Sequence, residues 1–248
     1  MNKLFVLFVL MISILDSCKK DPCADLVNGV YQFPELPENH IMTSQQISEF
    51  WDLPKNICGC ITTEGLIETC LNYPDLKVIW AFTDTQSAYD LQVKEKFRGV
   101  RELETRPDRG PCLLKKYKTL DPLGYDPNWE PVEIGRYHFN IYYVEIIFSQ
   151  YANLEPLTKN EKISVIETAI VIFDKTKNDL TQSSFGLGFV TTLMGRLMYQ
   201  NNYEPFIQEY NKNGTIRVLI DYYGGGGNKT LELIYDLSKD YLNYLKNN

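Results

Sequence analysis

One stretch of this chain limits what it can become more than any other. Residues 135–151 carry Tyr137, Phe139, Ile141, Tyr142, Val144, Ile146, Ile147 and Phe148, which leaves almost no polar stripe around a helical wheel. A helix with one apolar face lies on a surface, whereas one that is apolar nearly all round has to be covered by neighbours. The chain must therefore supply several further helices, and most of the remaining pattern has helical spacing. Thr158-Lys159-Asn160-Glu161 reads as a capping box, in which each side chain satisfies a free amide of the other residue, opening a helix to about residue 175. Ile163, Ile166, Ile170 and Phe173 form its inner stripe, and this 3.6-residue period outweighs the β-branched content of the segment.

The other predicted helices follow the same logic. Thr43-Ser44 leads into a helix with Ile47, Phe50 and Trp51 on one face, stopped by Pro54. A second runs from Thr62 or Thr63 to Leu71, and a third, capped by Asp84, carries Tyr89 and Val93 towards Phe97. Asp108 and Pro111 form the cap and first turn of a helix to Leu120, since proline suits a position whose backbone N–H has no helical acceptor. In 183–202, Phe185, Phe189, Leu193 and Leu197 recur every four residues, with Gly188, Thr191, Thr192 and Gly195 offering a small-residue face to a neighbour. A helix follows Pro205, the segment 215–223 suits either helix or strand, and 229–245 is amphipathic with Leu231, Ile234, Leu237, Tyr241 and Leu245 on one side. The expected fold is all-α, a single-domain multi-helix array or bundle over residues 41–248 in which stacked helical hairpins are admissible.

Ahead of it, Lys3 precedes an apolar run of about 12 residues, well short of the ~20 needed to span a bilayer, which is the pattern of a signal peptide over residues 1–17. Leu15-Asp16-Ser17-Cys18 resembles the lipobox read by lipoprotein signal peptidase, with Asp16 standing where a small or apolar residue is usual. The resemblance implies an acyl anchor on Cys18. Cys18-Lys19-Lys20-Asp21 is similar to the start of Bacteroidota lipoproteins, and Lys19 in place of an aspartate implies transfer to the outer membrane, on its periplasmic or cell-surface side. Residues 18–40, with three prolines and no sustained period, are expected to be a flexible linker. The segment from Trp51-Asp52-Leu53-Pro54 through Cys58-Gly59-Cys60 to Cys70 resembles part of a helical Bacteroidota lipoprotein family of unknown function. That likeness implies a lineage and attaches no catalytic motif.

The net charge of -7 and pI of about 5.0, with no extended Lys/Arg run, remove the electrostatic footprint of a nucleic-acid binder. The membrane is expected as a partner only through the lipid, alongside an envelope protein or glycan. With Cys18 acylated, Cys23, Cys58, Cys60, Cys70 and Cys112 leave an odd number of thiols. Cys58 and Cys60 are candidates for packing or for disulfides to Cys23 or Cys70, while Cys70 and Cys112 read as small buried apolar residues.

No cofactor or metal motif is complete. In Tyr223-Gly224-Gly225-Gly226-Gly227-Asn228-Lys229-Thr230, Tyr223 and Asn228 occupy the positions where a P-loop needs glycine, so the string reads as a connector. Gly186-Leu187-Gly188 lacks the third glycine of a dinucleotide fingerprint. His40 is far from the only other histidine, and Asp126-Pro127-Asn128-Trp129-Glu130 lacks EF-hand spacing. His138, Tyr142 and Glu145 fall at i, i+4 and i+7 and share a helix face, either as a polar core cluster or as acid–base machinery. Tyr125, Trp129, Tyr222 and Tyr223 are expected in loops, where aromatic side chains bind glycans or proteins. The leading expectation is a non-enzymatic binding or accessory component of the envelope. The alternative is a hydrolase pairing Glu145 with Asp126 or Glu130.

Overall fold

A computed structural model describes residues 23–38, 41–179 and 184–248. The leader, Cys18, His40 and Ser183 lie outside the described residues. The fold is all-α, with a single small hairpin of β1 (Leu26–Val27) and β2 (Val30–Tyr31), antiparallel with Leu26 opposite Tyr31. The helices are α1 (Ser44–Phe50), α2 (Lys55–Cys58), α3 (Thr63–Leu71), α4 (Thr85–Ala88), α5 (Arg98–Thr105), α6 (Arg109–Tyr117), α7 (Pro131–Phe148), α8 (Tyr151–Leu154), α9 (Lys159–Asn178), α10 (Ser184–Gln200), α11 (Glu204–Lys212), α12 (Gly214–Tyr222) and α13 (Asn228–Asn247). A 3₁₀ segment, Leu76–Ala81, precedes α4, and a π turn, Tyr89–Lys94, prolongs it.

Caps explain several boundaries. The Thr158 box forms as its spacing predicts, Thr43 closes a further one with Gln46, and Asp84 accepts from the Ser87 amide at 3.0 Å. The central helix starts earlier than its apolar run, because Pro131 takes the first position and Glu130 with Glu133 closes a further capping box. It stops at Phe148, and Tyr151–Leu154 forms a separate turn. The segment with the helix-or-strand ambiguity is helix α12, opened by Asn213, whose side chain accepts from the Thr215 and Ile216 amides. Helix α5 was not foreseen in the periodicity.

Helices α9, α10 and α13 pack on one another, α7 lies against α10, and α6 joins α7 to a second group made of α3, α5 and the hairpin. Gly195 supplies the close approach that its sequence neighbourhood predicted, since an added Cβ would stand 2.2 Å from the Ile220 side chain.

The amino-terminal region departs from the expected flexible linker. Cys23 is disulfide-bonded to Cys60, with Cα atoms 6.0 Å apart. The Tyr31 amide donates to Thr69 Oγ1, Phe33 packs against Tyr31, Tyr73 and Phe97, and the Trp51 indole donates to the Pro34 carbonyl. The hairpin turn reaches α3 where Gly65 leaves room: a Cβ there would meet the Gly29 carbonyl oxygen at 2.1 Å. These contacts are made between residues far apart in sequence, which is why local composition alone suggested a spacer. Of the remaining cysteines, Cys70 is buried as expected, but Cys112 is partly exposed.

Candidate functional site

Helix α7 is covered along only half its length. From Ile141 onward Ile141, Tyr142, Val144, Glu145, Ile146, Ile147 and Phe148 are buried. Before Ile141, Val132, Glu133, Arg136, Phe139 and Asn140 face solvent, with Val132 69 % and Phe139 37 % exposed. This corrects the expectation of a helix enclosed on all sides: the second half meets α10, α6 and α8, whereas the first half is flanked only by a loop and by side chains of its neighbours.

Two adjoining cavities lie along α7, and a third continues from them between α3 and α6. The first, about 320 Å³, lies between the end of α3, the end of α6 and α7, and includes Asn72, Thr119, Tyr137, Asn140 and Tyr143. It shares Tyr137 and Asn140 with a cavity of about 250 Å³ bounded by Trp129, Glu133 and Arg136. At its other end it shares Glu68, Lys116 and Thr119 with a cavity of about 270 Å³ reaching Glu64 and Cys112. Charges along this groove are largely paired, Lys116 with Glu68 at 2.6 Å and Lys115 with Glu64 at 3.5 Å. Burial, then Glu64 and Asp108, push the Cys112 thiol up to about 11, so it is a poor nucleophile at neutral pH.

The loop 121–130 builds one wall. The Tyr137 hydroxyl donates to the Asp121 carbonyl, Lys175 pairs with Asp121 at 2.9 Å, and Trp129 packs edge-on against Tyr137 at 6.0 Å while remaining 40 % exposed. Tyr125 turns inward, its hydroxyl donating to the Asp179 carboxylate at 3.2 Å and its ring meeting His138 edge-on at 5.1 Å. His138 Nε2 is 3.8 Å from Asp179 Oδ2, too far for a hydrogen bond. Burial lowers the pKa of His138, against opposing contributions from the Pro122 carbonyl and Asp179. On the other flank of α7, Trp80 donates to the Tyr143 hydroxyl at 2.8 Å and packs against Phe139 and Phe185, which is half exposed.

The buried half holds a different set of polar groups. Arg196, 2 % exposed, donates to the carbonyls of Ile220 at 2.8 Å and Asp221 at 3.2 Å and to the Tyr223 hydroxyl at 3.1 Å, with its guanidinium 4.5 Å over the Tyr223 ring. Ser149 and Gln150 also hydrogen-bond to that hydroxyl. The carbonyl-rich C-termini of α7 and α12 meet this cation, supplying the partial negative charge that a buried guanidinium needs. Arg196 was missed in the sequence; the signal is a lone charge inside the uncharged run Met194-Gly195-Arg196-Leu197-Met198. Tyr223 is thus not a loop aromatic open to ligands. It caps α12 with a left-handed backbone, φ 59°, which turns its ring inward, while Tyr222 remains 48 % exposed.

His138, Tyr142 and Glu145 do share a buried face, but they bring no reactive groups together. Tyr142 stacks on Phe189 at 5.0 Å, and Glu145, 1 % exposed, accepts from Tyr117 at 3.4 Å. Burial raises the Glu145 pKa well above the usual carboxylate range, against the lowering hydrogen bond from Tyr117. Glu130 caps the opposite end of the same helix, some 22 Å away at 1.5 Å per residue, and Asp126 holds the amides of Asn128 in the loop beside it. The pairs Glu145–Glu130 and Glu145–Asp126 therefore do not converge. Among the described residues, no three His, Cys, Asp or Glu side chains are grouped to hold a metal ion. No family model matches the chain, and no curated protein or solved structure is significantly similar to it.

Proposed function

We propose that this protein is an exported lipoprotein, anchored through acylated Cys18 in the outer membrane, that serves the envelope by binding a neutral glycan along the exposed half of α7. The observation that carries the binding role is the groove itself. Trp129 and Tyr137 provide apolar ring surface for the C–H face of a sugar, while Asn72, Thr119 and Asn140 stand along its wall as donors and acceptors for hydroxyls. Ring surface beside several polar groups suits a ligand such as a sugar, which presents both C–H faces and hydroxyls. At the α3–α6 end, the pairing of Lys115 and Lys116 with Glu64 and Glu68 favours an uncharged ligand, because a charged one would have to break those pairs. The anchor rests on the leader and on Leu15-Asp16-Ser17-Cys18. Among the described residues no helix is long and apolar enough to cross a membrane.

Titration calorimetry with neutral envelope oligosaccharides tests the binding role. Wild type should bind, and Trp129→Ala and Asn140→Ala should each weaken binding at least tenfold. Equal affinity in all three proteins would dismiss the groove. The anchor is tested separately by palmitate labelling, which Cys18→Ala should abolish.

A further inference from the structure

We infer that the Cys23–Cys60 disulfide holds the helical body directly against a lipid surface, with α2 and the hairpin turn facing the headgroups. The inference rests on the acylation of Cys18 proposed above and adds a second partner surface to that reading. Cys60 belongs to the rigid part of the molecule: its amide donates to the Ile57 carbonyl at 3.0 Å, Ile57 is fully buried, and Arg106 donates to the neighbouring Cys58 carbonyl at 2.6 Å. The disulfide fixes Cys23 to that point. Four residues then separate the acylated position from the body, and the five steps across them, at 3.3–3.6 Å each, reach ~18 Å at most. That is about the radius of gyration of a folded chain of this length. A free spacer to residue 40 would reach roughly 75 Å by the same geometry, enough to let any face turn to the membrane. The short tether removes that freedom.

The face left beside the lipid is hydrophilic with one apolar projection. Lys55, Asn56 and Gly59 are exposed around Cys60, together with Val27, 55 % exposed, and Asn28 at the hairpin turn. Helix α3 leads away from Cys60, and the Asn72 end of the groove lies one helix length further on, ~14 Å. The tether thus joins the body at the end of α3 remote from Trp129.

The test uses the full-length acylated protein in phosphatidylcholine vesicles carrying a headgroup-linked energy acceptor, with a fluorescent amino acid donor in place of Lys55. Wild type should show strong energy transfer. A Gly/Ser insertion of twenty residues after Lys20, which adds about 25 Å of root-mean-square reach, should remove most of that transfer while vesicle retention is unchanged. Cys23→Ser with Cys60→Ser, or reductant on the wild type, should give a smaller loss, since Leu26 becomes the next fixed residue. Unchanged transfer in the insertion variant, which keeps the disulfide and the folded body, would overturn the inference. Failure of the anchor reading gives a different result: wild type takes up no palmitate and does not stay on vesicles at all, and the inference then falls with it.

Discussion

The two halves of helix α7 differ in fate although both carry large apolar and aromatic side chains: residues 131–140 mix them with Glu133, Arg136, His138 and Asn140, while residues 141–148 hold Glu145 alone among them. The half before Ile141 carries Tyr137 and Phe139 and stays largely in solvent; the half after it carries Tyr142, Ile146 and Phe148 and disappears into the core. Single apolar residues do not decide burial here, since Val132 and Phe139 stay exposed. Burial follows from the partners that reach it, α10 and α6 along the second half and the loop 121–130 with a few side chains such as Trp80 and Asp179 along the first. The comparison also separates two kinds of polar group. Glu145 and the Arg196 cluster are enclosed and serve the fold, whereas Arg136 and Asn140 are exposed and available to a ligand.

The sharpest way to break this contrast is to truncate one apolar residue in each half. Phe148→Ala in the buried half should cost ~3–5 kcal/mol in urea unfolding, the range for deleting an enclosed aromatic ring. A loss below about 1 kcal/mol would mean that this half is much less tightly packed than described.

Glu145 gives the next largest effect, and it depends on pH. Its folded pKa is raised above the unfolded value, so the folded chain retains a proton that the unfolded chain releases. Stability from this group is complete below pH ~4.5 and falls as pH rises, by about 1.4 kcal/mol per pH unit until the folded pKa is reached. Glu145→Gln should match wild type near pH 4 and become progressively more stable than it towards pH 8. Parallel stability curves would contradict a protonated, buried acid.

His138 acts in the opposite sense and more weakly. Its folded pKa is lowered, so stability present above pH ~6.5 is lost as pH falls and the unfolded chain takes up the proton first. Amide exchange in the loop 121–130 should quicken between about pH 7 and 5 in wild type and change less in His138→Gln. The smallest effect belongs to the exposed half, where Trp129→Ala should shift stability by no more than ~0.5 kcal/mol while removing ligand binding. A large loss of stability there would turn the groove wall into a structural element.

Much of the helical plan was legible because it is local. Thr158 with Glu161, Asp84 with Ser87, and the Gly195 approach each involve neighbours in sequence or a period of 3.6 residues. The rest depends on contacts that no local pattern carries. The amino-terminal arm looks like a linker until Cys23 meets Cys60 and Phe33 meets Tyr73 and Phe97. Tyr223 looks like the first residue of a glycine loop until its left-handed cap turns the ring onto Arg196. Tyr125 and Trp129 stand four residues apart in one loop, yet one turns inward to Asp179 and the other lines the groove.

The seat of the Gly29 carbonyl on Gly65 lets a single carbon atom unseat the hairpin turn from α3. A β carbon at 65 would have 2.1 Å where real contacts keep at least 3.0 Å, and the obstacle is backbone, which has no rotamer to yield. The clash adds to a docking that arm side chains also make, Phe33 on Tyr73 and Phe97 and Cys23 on Cys60. With Cys23 still bonded to Cys60, a side chain at position 65 would turn the hairpin from a seated element into a closed loop held at its ends.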